Sequence, residues 1–156
     1  MCDHKKLMRR AIELSSKNIE MGGGPFGAVV VKDGRIVGEG ANRVTPDNDP
    51  TAHAEVVAIR DAARKLGTYN LSDCTIYTSC EPCPMCLGAI YWARINRMYY
   101  GNTKLDAEAA GFDDSLIYKE MAKPISNRQL HSVQMLRDEA QSSFKKWIEL
   151  DEKTDY

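Results

Sequence analysis

An α/β domain, a mixed sheet with helices on both faces, is the fold class the sequence predicts. Helix and strand signals alternate along the chain, and no repeat, low-complexity stretch or linker divides its 156 residues, a length that closes one substantial core. Asp33-Gly34, set between two strand-like runs, marks an antiparallel hairpin within that alternation.

The elements follow in order. Met8, Ala11, Ile12, Ser15 and Ile19 recur at helical spacing, and Gly22-Gly23-Gly24-Pro25 ends that helix. Phe26 to Lys32 reads as a buried strand, and Arg35 to Asn42 as its hairpin partner. Asp49-Pro50 is a helix-start signal, and the Ala-rich stretch from His53 to Leu66 is strongly helical before Gly67 stops it. Thr75 to Ser79 is a short β-branched and aromatic strand. Pro84 fits a first helical position, so a helix is expected from about Pro84 to Ala93. Arg97 to Gly101 resembles a further strand, and Lys104 to Ala109 supplies helix-forming residues. Near the end, Phe144, Trp147 and Ile148 share one helical face ahead of a polar tail, Asp151 to Tyr156.

Composition narrows the function classes. Hydrophobic residues make up 43% and charged residues 28%, the balance of an ordinary globular chain. A formal net charge of −1 provides no general basic field for nucleic acid and suits a small, neutral or mildly charged substrate. No apolar run is long enough to span a bilayer, and the start carries no apolar signal core, so a cytoplasmic location is expected. Three of the five cysteines crowd into Cys80-Glu-Pro-Cys83-Pro-Met-Cys86. In a reducing compartment that cluster reads as metal chemistry, not a disulfide framework. Cys2 and Cys74 read as incidental thiols, and His4 and His131 as surface residues.

Two segments carry the chemistry: Thr51-Ala-His53-Ala-Glu55 and Ser79-Cys-Glu-Pro-Cys83-Pro-Met-Cys86. Each opens a helix. With Cys83 as N-cap and Pro84 as first helical residue, Cys86 falls in the first turn, so both sulfurs lie near unpaired N–H groups and the positive end of the helix dipole. That setting favours the thiolates zinc requires. His53 adds a neutral nitrogen, giving a three-ligand Zn2+ site whose fourth position is left for water. His53 and Glu55, two residues apart, would diverge along a helix side. They converge only at its tip, where Glu55 can move the protons of that water. A structural zinc with Cys80 as fourth ligand is the competing reading.

The paired H-x-E and P-C-x-x-C motifs resemble the zinc-deaminase signature, and over essentially its whole length the chain resembles the cytidine-deaminase-like superfamily, within it the bacterial guanine deaminases. The likeness is carried by Gly24-Pro-Phe-Gly-Ala-Val, Asn48-Asp-Pro-Thr-Ala-His-Ala-Glu55, Tyr77 through Arg94, Ala110-Gly-Phe-Asp-Asp-Ser115 and the terminal Tyr156. It implies a three-layer α/β/α sandwich around a five-stranded mixed sheet, in one deaminase domain over residues 1–156. It further implies a homodimer in which the C-terminal segment, residues 138–156, crosses onto the partner. One Zn2+ per subunit would be held by His53, Cys83 and Cys86, with Glu55 as proton carrier. Phe26 and Trp92 would be aromatic pocket walls, Asn42 an amide for the ring, Asp114 a carboxylate for ring N–H groups beside Asp113, and Tyr156 the tail residue closing the pocket. The implied reaction is hydrolysis of guanine to xanthine and ammonia in purine catabolism or salvage. Guanosine, cytosine and the wobble adenosine of tRNA are the alternative substrates. On the residues alone, Phe26 and Trp92 also fit plain core, and Asp113-Asp114 a solvated helix cap.

Overall fold

The structure, a computed structural model, describes residues 3–156; Cys2 lies outside them. Packing divides the chain into one unit ending at Asp114, which holds the whole sheet, and a second from Ser115 to Tyr156.

The first unit opens with α1 (His4–Glu20), whose N-cap Asp3 accepts the Lys6 N–H at 3.0 Å. β1 (Gly27–Lys32) and β2 (Arg35–Ala41) form the hairpin. Its turn residues Asp33 and Gly34 both have positive φ, 50° and 74°, the type I′ geometry for which Asp-Gly is suited. A short α2 (Val44–Asp47) precedes α3 (Ala54–Leu66), and β3 (Thr75–Cys80), α4 (Pro84–Trp92), β4 (Arg97–Asn102) and α5 (Lys104–Ala109) complete the unit. The Asp49-Pro50 signal is a turn, not a helix start: the Asp49 carboxylate accepts the Thr51 N–H at 2.9 Å and its carbonyl the Ala52 N–H at 3.1 Å. α3 begins only after His53.

The strands order as β2-β1-β3-β4, with β1 antiparallel to both neighbours and β3 parallel to β4. The sheet is mixed, as expected, but it has four strands among the described residues, not five. After β4 the chain enters capped helices, and residues 131–136 run outside any helix or strand, forming no ladder. α1 covers one face with Leu7, Ala11, Val29, Val31 and Tyr77. α3 and α4 cover the other with Ala28, Val30, Ala54, Ala58, Ile76 and Ile90. The buried stripe of α1 is Leu7, Ala11, Ser15 and Asn18, so Ile12 and Ile19 face outward at 46% and 58% exposure. Close contact selects the small residues: a Cβ on Gly27 would lie 2.2 Å from the Ala11 carbonyl oxygen. Gly40 does the same under α3, where a Cβ would lie 2.3 Å from the Ala54 oxygen.

The second unit comprises α6 (Ser115–Met121), a 3-10 turn at Ile125–Asn127 and α7 (Arg137–Ile148). Arg128 ties it locally, its Nε donating to the carbonyls of Glu120 and Lys123 at 3.0 and 3.2 Å. Phe144, Trp147 and Ile148 do share α7, yet remain 67%, 41% and 69% exposed. No helix among the described residues is long and apolar enough to cross a membrane.

Candidate metal centre and active site

α3 and α4 bring their N-termini together through their caps. His53 is the N-cap of α3, with extended φ −68° and ψ 154°, and Cys83 is the N-cap of α4, with φ −66° and ψ 170° and Pro84 next. The Asp49 turn presents His53, whose N–H donates to the Thr51 carbonyl at 2.8 Å. His53 Nδ1 lies 3.5 Å from the Cys83 sulfur and 3.5 Å from the Cys86 sulfur. All three ligand atoms fall within 4.8 Å of one another. A tetrahedral zinc with bonds of about 2.3 Å to sulfur and about 2.0–2.1 Å to nitrogen sets N···S edges of about 3.6 Å, so this donor set fits the ion. Glu55, in the first turn of α3 and 7% exposed, has Oε2 3.4 Å from the Cys86 sulfur, which donates to it.

The electrostatics suit a cation. Cys83 is pulled down to about 4, first by its hydrogen bond with Cys86 and then by His53, while Cys86 is pushed up strongly, first by that bond and then by burial and the charge of Glu55. Its partners therefore favour the thiolate at Cys83, and a bound cation would favour the same form at Cys86. His53 is raised by its hydrogen bond to Cys83, and Glu55 is raised by burial. Cys80 is no member of this group. Its sulfur donates to the Thr103 carbonyl at 3.6 Å, and burial followed by the charges of Glu55, Glu81, Asp106 and Asp114 pushes it up to about 11. A fourth protein ligand from Cys80, which a purely structural zinc would need, is not formed.

The expected pocket residues divide. Asn42 follows β2, 9% exposed; its Oδ1 accepts the Val44 N–H at 3.1 Å and its own N–H donates to the Phe26 carbonyl at 3.1 Å. Phe26 packs on the α3 side of the core. Asp114, partly buried, is raised by that burial and then by the charge of Cys83. Trp92 is not gathered there: it ends α4, 65% exposed, about 12 Å along the axis from Pro84 at 1.5 Å per residue. Tyr156 ends the second unit, 71% exposed.

Other residues shape the site without an obvious sequence signal. Asn18, 2% exposed, donates from one amide nitrogen to the Gly24 carbonyl at 2.8 Å and the Asn42 carbonyl at 2.7 Å, clamping the segments that carry Phe26 and Asn42. Its only clue was its place in the α1 stripe. Phe112 stands edge-to-face against Phe26, centroids 4.9 Å apart at 85°. Thr78 shares the Ile76 face of β3 by strand alternation, and its buried hydroxyl has no hydrogen-bond partner. On the α1 face, away from this site, His4 is exposed as expected and is bonded from Nδ1 to the Tyr77 hydroxyl at 2.7 Å.

Comparison with known proteins agrees with this geometry. Residues 1–102 match the model of the cytidine and deoxycytidylate deaminase zinc-binding region. The chain is 53% identical to the guanine deaminase of Bacillus subtilis over 99% of each. It superposes on the X-ray structure of guanine deaminase from that organism with a TM-score of 0.96, covering 99% of both chains. It is also 44% identical to the tRNA-specific adenosine deaminase of Haemophilus influenzae, over 70% of this chain and 67% of that one. The chain belongs to the cytidine and deoxycytidylate deaminase zinc-binding family.

Proposed function

We propose that this chain is a zinc-dependent guanine deaminase, converting guanine and water to xanthine and ammonia. The observation that carries the reading is a buried carboxylate, Glu55, set beside a three-ligand donor group that gains no fourth protein ligand among the described residues. The similarity to a guanine deaminase over 99% of both chains supports guanine as the base.

A zinc ion held by His53, Cys83 and Cys86 supplies Lewis acidity that makes a water nucleophilic near neutral pH. Glu55 accepts a proton from that water as its oxygen bonds to C2, and passes the proton to the adjacent ring nitrogen. Glu55 then takes the remaining proton of the added oxygen as the C2 carbonyl forms and delivers it to the amine as the C2–N bond breaks, releasing ammonia. Burial raises Glu55 toward the range in which it can both accept and give a proton. Phe26 provides an aromatic wall and Asn42 an amide for the ring. Asp114 takes in-plane N–H groups, with Asp113 its neighbour. A base offering an acceptor there would leave a half-buried carboxylate unmatched, a costly outcome.

The protein works on this reading as a cytoplasmic homodimer of one-domain subunits over residues 1–156, the partner's C-terminal segment bringing Tyr156 to close the pocket. Trp92, exposed at the far end of α4, is the wall toward that second copy. No nucleic acid or membrane partner is needed. The test is ammonia release from guanine, guanosine, adenine and cytosine offered separately to zinc-loaded protein. Release from guanine with xanthine as product is expected; release from a different base instead would overturn the pocket assignment, and silence on all four would overturn the free-base reading in favour of a tRNA substrate or a structural zinc.

A further inference from the structure

Residues 103–114 leave β4 and end at Asp114, and they are tied at both ends. At the start, Thr103 and Asp106 form a reciprocal capping box. Glu81, two residues before Cys83, accepts the Lys104 N–H at 2.8 Å and donates its own N–H to the Asn102 carbonyl at 2.8 Å. α5 therefore begins against the same loop that presents the metal-binding sulfur. At the end, the N–H groups of Gly111 and Phe112 return to the Glu108 and Ala107 carbonyls, both at 2.9 Å, with Gly111 at φ 93°. That turn sets the Phe112 ring on Phe26.

Phe112 is 44% exposed and belongs to neither core cluster, so core burial does not account for it. Its described ring contact is Phe26, 4.9 Å away at 85°, an arrangement that aromatic quadrupoles favour. Phe26 is fixed from behind: its N–H donates to the Gly24 carbonyl at 2.9 Å and its carbonyl accepts from Asn42. Two residues after Phe112 comes Asp114, at the end of the segment that Glu81 ties to the Cys83 loop.

We propose that Phe112 is a positioning residue of the base pocket: its contact with Phe26 fixes together the aromatic wall and, two residues on, the Asp114 carboxylate. A planar heteroaromatic base needs these two in register, a face for its ring and an acceptor for its in-plane N–H groups. The inference rests on the purine-base reading above. Phe112 acts through Phe26 and Asp114, not on the reacting atoms, so its loss weakens capture of the base more than the proton transfers.

The test is steady-state kinetics on the full, zinc-loaded chain with guanine, for Phe112→Ala, Phe112→Leu, Phe112→Tyr, Asp114→Asn and the double variant Phe112→Ala/Asp114→Asn. KM is expected to rise on the order of tenfold in Phe112→Ala with kcat changed much less, at one zinc per chain. Tyrosine should restore KM, and leucine only in part. Within Asp114→Asn, Phe112→Ala should cost less than about threefold in kcat/KM, because the two act through one contact. An unchanged KM, full rescue by leucine, or equal losses in both backgrounds would overturn the proposal. If Phe112→Ala loses zinc, Phe112→Leu in the two backgrounds decides by the same coupling. If wild type releases ammonia from a base other than guanine, the guanine reading fails alone and the series is run on that base. If no base is turned over, both fall.

Discussion

On the sheet face covered by α1, Asn18 gives its amide to the carbonyls of Gly24 and Asn42, and Ser79 accepts the Gly27 N–H at 3.0 Å. These polar groups are spent on the protein's own backbone. On the face covered by α3 and α4, polar groups converge instead on one another: His53, Cys83, Cys86 and Glu55. Both faces are built on small apolar residues, so the difference is not hydrophobicity. Two helix N-termini meet on one face, and unfinished donors and acceptors collect there.

The sharpest way to break that contrast is to remove a ligand. In Cys86→Ser the hydroxyl replaces the thiolate without its affinity for zinc, so metal content should fall well below one per chain and turnover should drop to background. Metal analysis beside the ammonia assay checks it; full zinc with full activity would take Cys86 out of the centre. The α1 face answers in stability instead. Asn18→Ala strands the buried Asn42 carbonyl, while the Gly24 carbonyl keeps the Phe26 N–H, and should cost about 1–3 kcal/mol in denaturant unfolding, with zinc still bound to the folded protein. A cost under about 0.5 kcal/mol would mean the clamp carries little.

The chemistry of the first face was legible because it is local. H-x-E and C-x-x-C each sit within one helix start, and Pro84 fixes which residue is the cap. Asp33-Gly34 announced its turn for the same reason. Contacts that join distant segments were not legible. Asn18 finds its acceptors beyond the end of its own helix, and nothing in a helical pattern distinguishes a clamping amide from a surface one. The pairing of Phe112 with Phe26 depends on how a turn after α5 returns across the sheet edge. The expected fifth strand came from likeness, and among the described residues those after β4 form helices or, as at 131–136, run outside any element. Trp92 shares a helix with Cys83 and Cys86, but at the opposite end.

Two smaller effects sharpen the comparison. Thr78→Val keeps the side chain's shape and removes a hydroxyl with no partner, so the change should be neutral or stabilising by up to about 1 kcal/mol. A loss above about 2 kcal/mol would show that the hydroxyl is bonded, through water or ligand. The Arg10 guanidinium grips Glu39 at 2.7 and 2.9 Å and holds its carboxyl below the usual range. A carboxyl depressed by folding stabilises above its unfolded value, near pH 4.3, and that contribution fades as pH falls through the folded value. Glu39→Gln should therefore cost under about 1 kcal/mol near pH 7, and its stability should converge on wild type in acid. A constant gap across pH would contradict this origin.

The account stands most directly on Glu55 as a proton carrier that is not a ligand. Zinc content and guanine turnover should be measured together on Glu55→Ala. One zinc per chain with turnover reduced on the order of a thousandfold is the predicted result. Turnover near wild type, or loss of zinc in step with activity, would contradict it.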